Sequence, residues 1–258
     1  GGSVKKNSIL HKIVYRNADI IVSSSKYVKR DIMELGVDEE KFVDKKLLFL
    51  STCMENEYEF DKEECRNELG FLKNKKYVLY AGKTGIGMKK LDYLIECAER
   101  LSQFNFVMVG ANELTLKHYN EIIEMKGLTN FRIVPFLSLP EYSKYVEAAD
   151  LLLDYYETTY YNQYYLGPGK ASSYFSSKNP VLFSDMPFLR YLFPEDILFY
   201  VKPDNVDFLA GKIVEIFNNP DEMIRRAENA YKYSKKYTYQ YAMKQVIDFC
   251  ELKFKGVS

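Results

Sequence analysis

The chain has 258 residues, with 36 basic and 36 acidic side chains and therefore no formal net charge. That balance excludes a general nucleic-acid binder, which needs an excess of Lys and Arg to displace counterions. An apolar fraction of 47% excludes wholesale disorder and supplies material for a sizeable core. At ~150 residues per domain, the length fits one large domain, or one domain plus a fragment. No apolar run approaches the ~18 residues of a membrane span, and no signal peptide is expected. Cys53, Cys65, Cys97 and Cys250 form no C-x-x-C pair, and His11 and His118 are the only histidines, so no zinc pattern exists. Reduced, buried thiols in a cytoplasmic protein are the expectation. The chain opens on Gly1-Gly2-Ser3 without an initiator Met, which reads as a start inside a longer protein.

In chain order, Ala18-Asp19-Ile20-Ile21-Val22-Ser23 reads as a short buried strand. Residues Ser25 to Leu35 read as a helix with Val28, Ile32 and Leu35 on one face, stopped by Gly36. Leu47-Leu48-Phe49-Leu50 reads as a second strand, and the polar stretch 51–75 as a connection. A strand–helix rhythm follows. Strands are predicted at 77–81, 104–109, 131–134, 150–154, 180–184 and 197–201. Helices are predicted at 90–101, 113–126, 139–148 and 168–177, with three more closing the chain, two of them at 220–236 and 238–254. Ala227, Ala230 and Tyr231 are expected to face inward on the first of these two, and Ala242, Val246 and Phe249 on the second. Short apolar strands separated by helices mean β-α-β units and a Rossmann-like parallel sheet covered on both faces, an α/β fold. Such a sheet binds ligands at the carboxyl ends of its strands.

Three loops at those ends carry chemistry. Gly82-Lys83-Thr84-Gly85-Ile86-Gly87-Met88-Lys89-Lys90 places three glycines between a strand and a helix. Glycine lets backbone approach a phosphate and a helix start favours an anion, with Lys83 and Lys89 as flanking charges. The loop is neither a Walker A nor a G-x-G-x-x-G sequence, and read alone it fits a phosphate cradle or a solvated turn. Leu166-Gly167-Pro168-Gly169-Lys170 opens a helix and fits either a phosphate or sugar-hydroxyl site or a capped helix start with an exposed lysine. Asp154-Tyr155-Tyr156-Glu157 begins a run of six tyrosines ending at Tyr165, which suits stacking on bases or sugars, core filling or a lattice contact. Glu157 is a carboxylate at a strand end, suited to a hydroxyl or an amine.

The order of these segments resembles the C-terminal domain of GT-B glycosyltransferases, in particular the large retaining group called family 4 or group 1. Ala18 to Ser23 is similar to that family's A-D-x-I-x-x-S strand, and Leu47 to Phe60 to its entry into the C-terminal domain, without the usual Asn-Gly. Tyr80-Ala81-Gly82-Lys83 with Lys89-Lys90-Leu91-Asp92-Tyr93-Leu94-Ile95 resembles Y-x-G-R…K-G-x-D-x-L-I. Val107-Met108-Val109-Gly110 resembles I-V-G, and Pro168 to Val181 resembles P-x-K-x-x-E-Y-x-A-x-G-x-P-V. The resemblance spans about Ala18 to Tyr241. It implies a remnant of the N-terminal domain over residues 1–50, a connection over 51–75, and a nucleotide-sugar-binding domain over 76–258.

The same resemblance implies site residues. Lys83 and Lys89 take the places of the diphosphate-binding Arg and Lys, although Lys83 loses the bidentate fork of an arginine. Glu157 falls near the first of the family's two glutamates, and Ser173 stands where the second, ribose-binding one is usual. The expected donor site is Gly82, Lys83, Lys89, Gly169, Lys170 and Ser173, with Glu157, Lys83 and Lys89 as the catalytic set. The implied activity is transfer of a sugar from a UDP- or GDP-sugar to a glycan, lipid or protein acceptor. No metal or other cofactor is expected, nor any nucleic-acid partner. The location expected is the cytoplasm, with peripheral contact at the inner face of the membrane through the N-terminal domain. Two other readings remain at this point. One is a sugar-nucleotide epimerase of the same fold. The other is a non-catalytic GT-B-like domain that scaffolds a glycan-assembly complex. His11 and His118 are read as incidental.

Overall fold

The computed structural model describes residues 9–23, 25–43, 60–86 and 89–255. The N-terminal segment holds α1 (Ile9–Asn17), β1 (Ile21–Val22), α2 (Lys26–Met33), a 3-10 turn (Glu39–Lys41) and β2 (Phe42–Val43). The two short strands pair in parallel. Ile21, Ile32, Val37 and Phe42 form a small core of their own. Ser25 caps α2 by accepting from the Val28 amide at 3.2 Å, and Gly36 leaves the helix at φ +82°, a region only glycine enters cheaply. The strand expected at Leu47–Leu50 lies outside the described residues.

Within the stretch read as a connection lies a helix, α3 (Lys62–Glu68). Its sequence KEECRNE has no apolar stripe, so periodicity does not reveal it. Polar anchoring holds it instead. Asp61 caps its start at 2.9 Å. The buried Arg66 guanidinium donates to the carbonyls of Ala148, Leu72 and Lys75 and to Asp150, all at 2.9–3.0 Å. Lys62 donates to the Ala149 carbonyl at 2.5 Å and to Asn179 at 2.8 Å.

The main body then alternates as expected: β3 (Lys76–Ala81), α4 (Lys89–Arg100), β4 (Phe104–Ala111), α5 (Glu113–Met125), β5 (Phe131–Pro135), α6 (Leu139–Ala148) and β6 (Leu151–Asp154). A short α7 (Tyr160–Tyr164), which has no apolar period to announce it, precedes α8 (Ala171–Ser176). Then come β7 (Val181–Ser184), α9 (Pro187–Leu192), β8 (Phe199–Val201), α10 (Val206–Phe217), α11 (Pro220–Lys236) and α12 (Tyr239–Phe254). The six main strands are all parallel, in the order β5-β4-β3-β6-β7-β8. Alternation along β3 divides the core. Tyr77, Leu79 and Ala81 face a layer containing Tyr174, Phe175, Phe193 and Ala230. Val78 and Tyr80 face the layer of Leu91, Leu94, Ile95, Leu209 and Ile213. Helices therefore cover both faces.

At the C-terminus Ala227 and Ala230 are buried as expected, but Tyr231 is only half-buried and Ser234 takes the remaining inward position. Ala242, Val246 and Phe249 are half-buried, and Gln245 is the buried residue of α12. The last helix reaches the N-terminal segment, where Lys253 donates to the Glu40 carbonyl at 3.2 Å. Among the described residues no helix is long and apolar enough to cross a membrane.

Candidate functional site

Strand order locates the site. From β3 the chain builds outward through β4 to β5, and from β6 it builds the other way through β7 to β8. The reversal lies between β3 and β6, and a crevice opens there at the carboxyl ends of the strands. Gly82 and Lys83 follow β3, and Tyr155, Tyr156 and Glu157 follow β6. The β3–β6 ladder registers Val78 with Leu151 and Leu79 with Leu152. Beyond it the Tyr174 hydroxyl fills the fork, accepting from the Ala81 amide at 3.0 Å. Burial pushes that phenol well above its ordinary pKa, so it stays a neutral strut.

The start of the glycine loop is tied down at Gly82 and Thr84. The Gly82 amide donates to the Val109 carbonyl at 2.9 Å, and the buried Thr84 hydroxyl donates to the Gly110 carbonyl at 3.0 Å. Gly110 sits at φ +111°, and a Cβ there would stand 2.3 Å from the Gly82 carbonyl oxygen. Only glycine permits this close crossing of the β3 and β4 ends. The Lys83 side chain is exposed, and its carbonyl accepts from the Tyr80 hydroxyl at 3.3 Å. Lys89 begins α4, and its side chain lies outside the described residues.

At the floor of the crevice lies a charged pair. Asp154, fully buried at the end of β6, accepts from the Lys170 ammonium through one oxygen and from the Tyr156 hydroxyl at 2.6 Å through the other. The Lys170 side chain is 16% exposed and crosses above Gly82, where a Cβ would meet its Cε at 2.4 Å. Its ammonium stands 4.2 Å from the Tyr80 ring centroid and 5.4 Å from that of Tyr156. Burial by itself lowers the Lys170 pKa, but Asp154 and the surrounding phenols more than offset this, and the group is held charged well above its ordinary value. Lys170 thus lies at the strand ends with its charge committed to Asp154.

The structure changes the reading of the second and third loops. The expected helix start at Pro168 moves to Ala171, because Pro168 to Lys170 form a turn in which the Gly169 amide donates to the Gly167 carbonyl and the Ala171 amide to the Pro168 carbonyl, both at 2.9 Å. The Gly169 amide is therefore engaged locally instead of being presented to an anion. The Ser173 hydroxyl lies 3.0 Å from the Lys170 carbonyl, to which it donates, and 2.9 Å from the Tyr142 hydroxyl. The tyrosine run divides into Tyr155 and Tyr156 on one side and a cluster of Tyr160, Tyr161, Tyr164 and Tyr165 on the other. Tyr155 is core, edge-on to Tyr93 at 5.4 Å, and Tyr156 belongs to the crevice. Tyr164 packs on Tyr27 of α2 at 4.9 Å, and the Tyr165 hydroxyl donates to the buried Asp31 of the same helix. These last residues clasp the N-terminal segment, and the exposed Tyr160 and Tyr161 pack against them with ring centroids 5.1–6.2 Å apart. Glu157 is half-buried at the crevice rim, its carbonyl accepting from Asn162 at 2.9 Å.

Sequence reasoning missed three crevice residues: Asp154 as the partner of Lys170, Tyr80, and Lys90. The signal for Asp154 was a carboxylate closing an otherwise apolar strand. Lys90 was hidden by its neighbour Lys89. In the structure the Lys90 ammonium stands 4.9 Å from the Tyr80 centroid and 5.6 Å from that of Tyr156. His11 lies on exposed α1 and His118 on α5, against Tyr119 and away from the crevice. Cys65 and Cys97 are buried thiols that burial pushes up to about 11 and about 12.

No family model and no curated protein matches the sequence. Solved structures do match the fold. A glycosyltransferase from Rickettsia africae is 17% identical, with 96% of this chain and 68% of that chain covered and a TM-score of 0.73. Anabaena HepE in complex with UDP is 16% identical, with coverages of 97% and 68% and a TM-score of 0.75. The same protein in complex with UDP-glucose gives 15% identity and a TM-score of 0.71. The C-terminal domain of a group 1 glycosyl transferase, LpcC, from Francisella tularensis is 16% identical and 95% covered by 70% of this chain, at a TM-score of 0.56. The chain therefore has the fold of these glycosyltransferases, consistent with a GT-B C-terminal domain.

Proposed function

We propose that this chain is the donor-binding part of a retaining, metal-independent glycosyltransferase that takes its sugar from a UDP- or GDP-sugar. The observation that carries the reading is the crevice at the strand-order reversal. There the glycine loop, exposed Lys83 and the start of α4 at Lys89 follow β3, next to the strand end that holds the Asp154–Lys170 pair. The fold shared with a protein crystallised with UDP and with UDP-glucose supports it.

In this reading Lys83 and Lys89 stabilise the diphosphate as it departs, since fixed charges near a leaving group act where negative charge develops. Glu157, at the rim after β6, orients donor-sugar hydroxyls. The acceptor, a glycan, lipid or protein, meets the donor across the cleft from an N-terminal domain represented here by residues 1–50. The enzyme works in the cytoplasm, with the membrane's inner face reached through that domain.

A second reading is a non-catalytic domain that scaffolds a glycan-assembly complex. It is favoured by one observation: the position resembling the ribose-binding glutamate is Ser173, whose hydroxyl is engaged by Tyr142 and the Lys170 carbonyl. Calorimetric titration with UDP, GDP and their glucose conjugates separates the two. The donor-site reading expects saturable binding, weakened on the order of tenfold in Lys83→Ala and in Lys89→Ala. Absence of binding by every nucleotide refutes it.

A further inference from the structure

Lys90 differs from Lys83 and Lys170, the other described lysine side chains of the crevice. Its side chain is half-buried on the first turn of α4, and its ammonium faces the rings of Tyr80 and Tyr156, the two rings that Lys170 also faces. Lys170 has its counter-ion in Asp154. Tyr156 donates its hydroxyl to that same carboxylate and so adds no negative charge of its own. Among the described residues no carboxylate lies within ion-pair distance of Lys90. Aromatic faces attract a cation but do not neutralise it. A partly desolvated ammonium held by two rings, beside a glycine loop and above a pair whose charges already cancel, lacks one thing: an anion.

We propose that Lys90 is a phosphate ligand of the donor site, and that it selects a diphosphate over a monophosphate. The proposal rests on the donor-site reading above and deepens it. Lys170, locked to Asp154, serves as a neutral floor that positions Tyr80 and Tyr156. Those rings aim the Lys90 ammonium at the distal phosphate of a nucleoside diphosphate, beyond the glycine loop. Lys90 thus adds its charge to those of Lys83 and Lys89 in the same loop.

The test compares Lys90→Met and Lys90→Arg with wild type by calorimetry, using UDP, UMP and uridine, with GDP, GMP and guanosine in parallel. Each titration is run at two salt concentrations, and a thermal melt of each variant is recorded. Lys90→Met is expected to weaken diphosphate binding on the order of tenfold or more, to weaken monophosphate binding less, and to leave nucleoside binding unchanged. Its diphosphate binding also becomes less sensitive to salt. Lys90→Arg, which keeps the charge, restores most of the affinity. A Lys90→Met protein that binds the diphosphate as tightly as wild type overturns this inference and leaves the donor site standing. So does a loss that is equal for the diphosphate, the monophosphate and the nucleoside, because that marks a packing role on Tyr80. A wild type that binds no nucleotide overturns the donor-site reading and this inference together.

Discussion

Replacing Lys170 by Met removes the one cation that answers a fully buried carboxylate. Asp154 is 0% exposed, and without the ammonium it keeps one donor among the described residues, the Tyr156 hydroxyl at 2.6 Å. Removing one partner of a buried pair costs about 3–5 kcal/mol, because the remaining charge stays desolvated. For a chain of this size each kcal/mol shifts the melting temperature by about 2–4 °C, so a fall of about 6–20 °C is expected. Methionine keeps the stem's packing over Gly82, so the loss isolates the charge. The double variant Asp154→Asn with Lys170→Met is expected to be more stable than Lys170→Met alone, since the orphaned charge is gone. The pH dependence follows from Lys170 itself. Burial acts to lower its pKa, Asp154 and the phenols outweigh that, and the folded value lies well above the ordinary one. A raised lysine contributes stability that is complete below the unfolded pKa of about 10.4 and is lost only as pH rises through the folded value. The lysine's own contribution is therefore constant across neutral pH and is lost only in strong alkali. Urea unfolding and thermal melts measure both. A loss below about 1 kcal/mol, or single-variant losses that simply add in the double variant, refutes the argument for a mutually dependent pair.

Gly110→Ala puts a Cβ 2.3 Å from the Gly82 carbonyl at a φ of +111°. It is expected to cost about 1–3 kcal/mol and to displace the 82–86 loop, read as a lower melting temperature together with weaker nucleotide binding. The Glu147 carboxyl is pushed up to about 7 by burial, against the opposing pull of Lys62 and Lys178. A raised acid binds its proton more tightly when folded, so stability falls as pH rises from about 4.3, its unfolded value, towards the folded value. Glu147→Gln should therefore melt above wild type at pH 8 and level with it near pH 4.5, as a pair of thermal scans will show. Tyr165→Phe removes one donor from the buried Asp31, which keeps Arg30 at 2.9 and 3.2 Å. A lower urea midpoint, corresponding to about 1–3 kcal/mol, is expected for this variant.

Much of this fold is local in origin and could be read from the chain. Runs such as Tyr77 to Ala81 and Leu151 to Leu153 are apolar at every position, which suits strands covered on both faces. Helix boundaries follow caps that act within a turn, such as Ser25 on Val28 and Asn112 on Thr115. The parallel sheet and the carboxyl-end loops follow from that rhythm, and with them Gly82, Lys83 and Lys170 as crevice residues. Other features depend on distance across the fold, which periodicity does not encode. Helix α3 has no apolar stripe and is held by Arg66 reaching Ala148 and Asp150, more than eighty residues along the chain. The reversal between β3 and β6 is a property of strand order, and it alone brings Gly82 to Asp154. Asp154 and Lys170 are 16 residues apart in sequence, and their pairing needs the turn at Pro168 to bring the lysine back over the strand end. The six tyrosines look alike in sequence. Only packing separates Tyr155 in the core and Tyr156 in the crevice from Tyr164 and Tyr165 on α2, because a side chain's role is set by which neighbours exclude water from it.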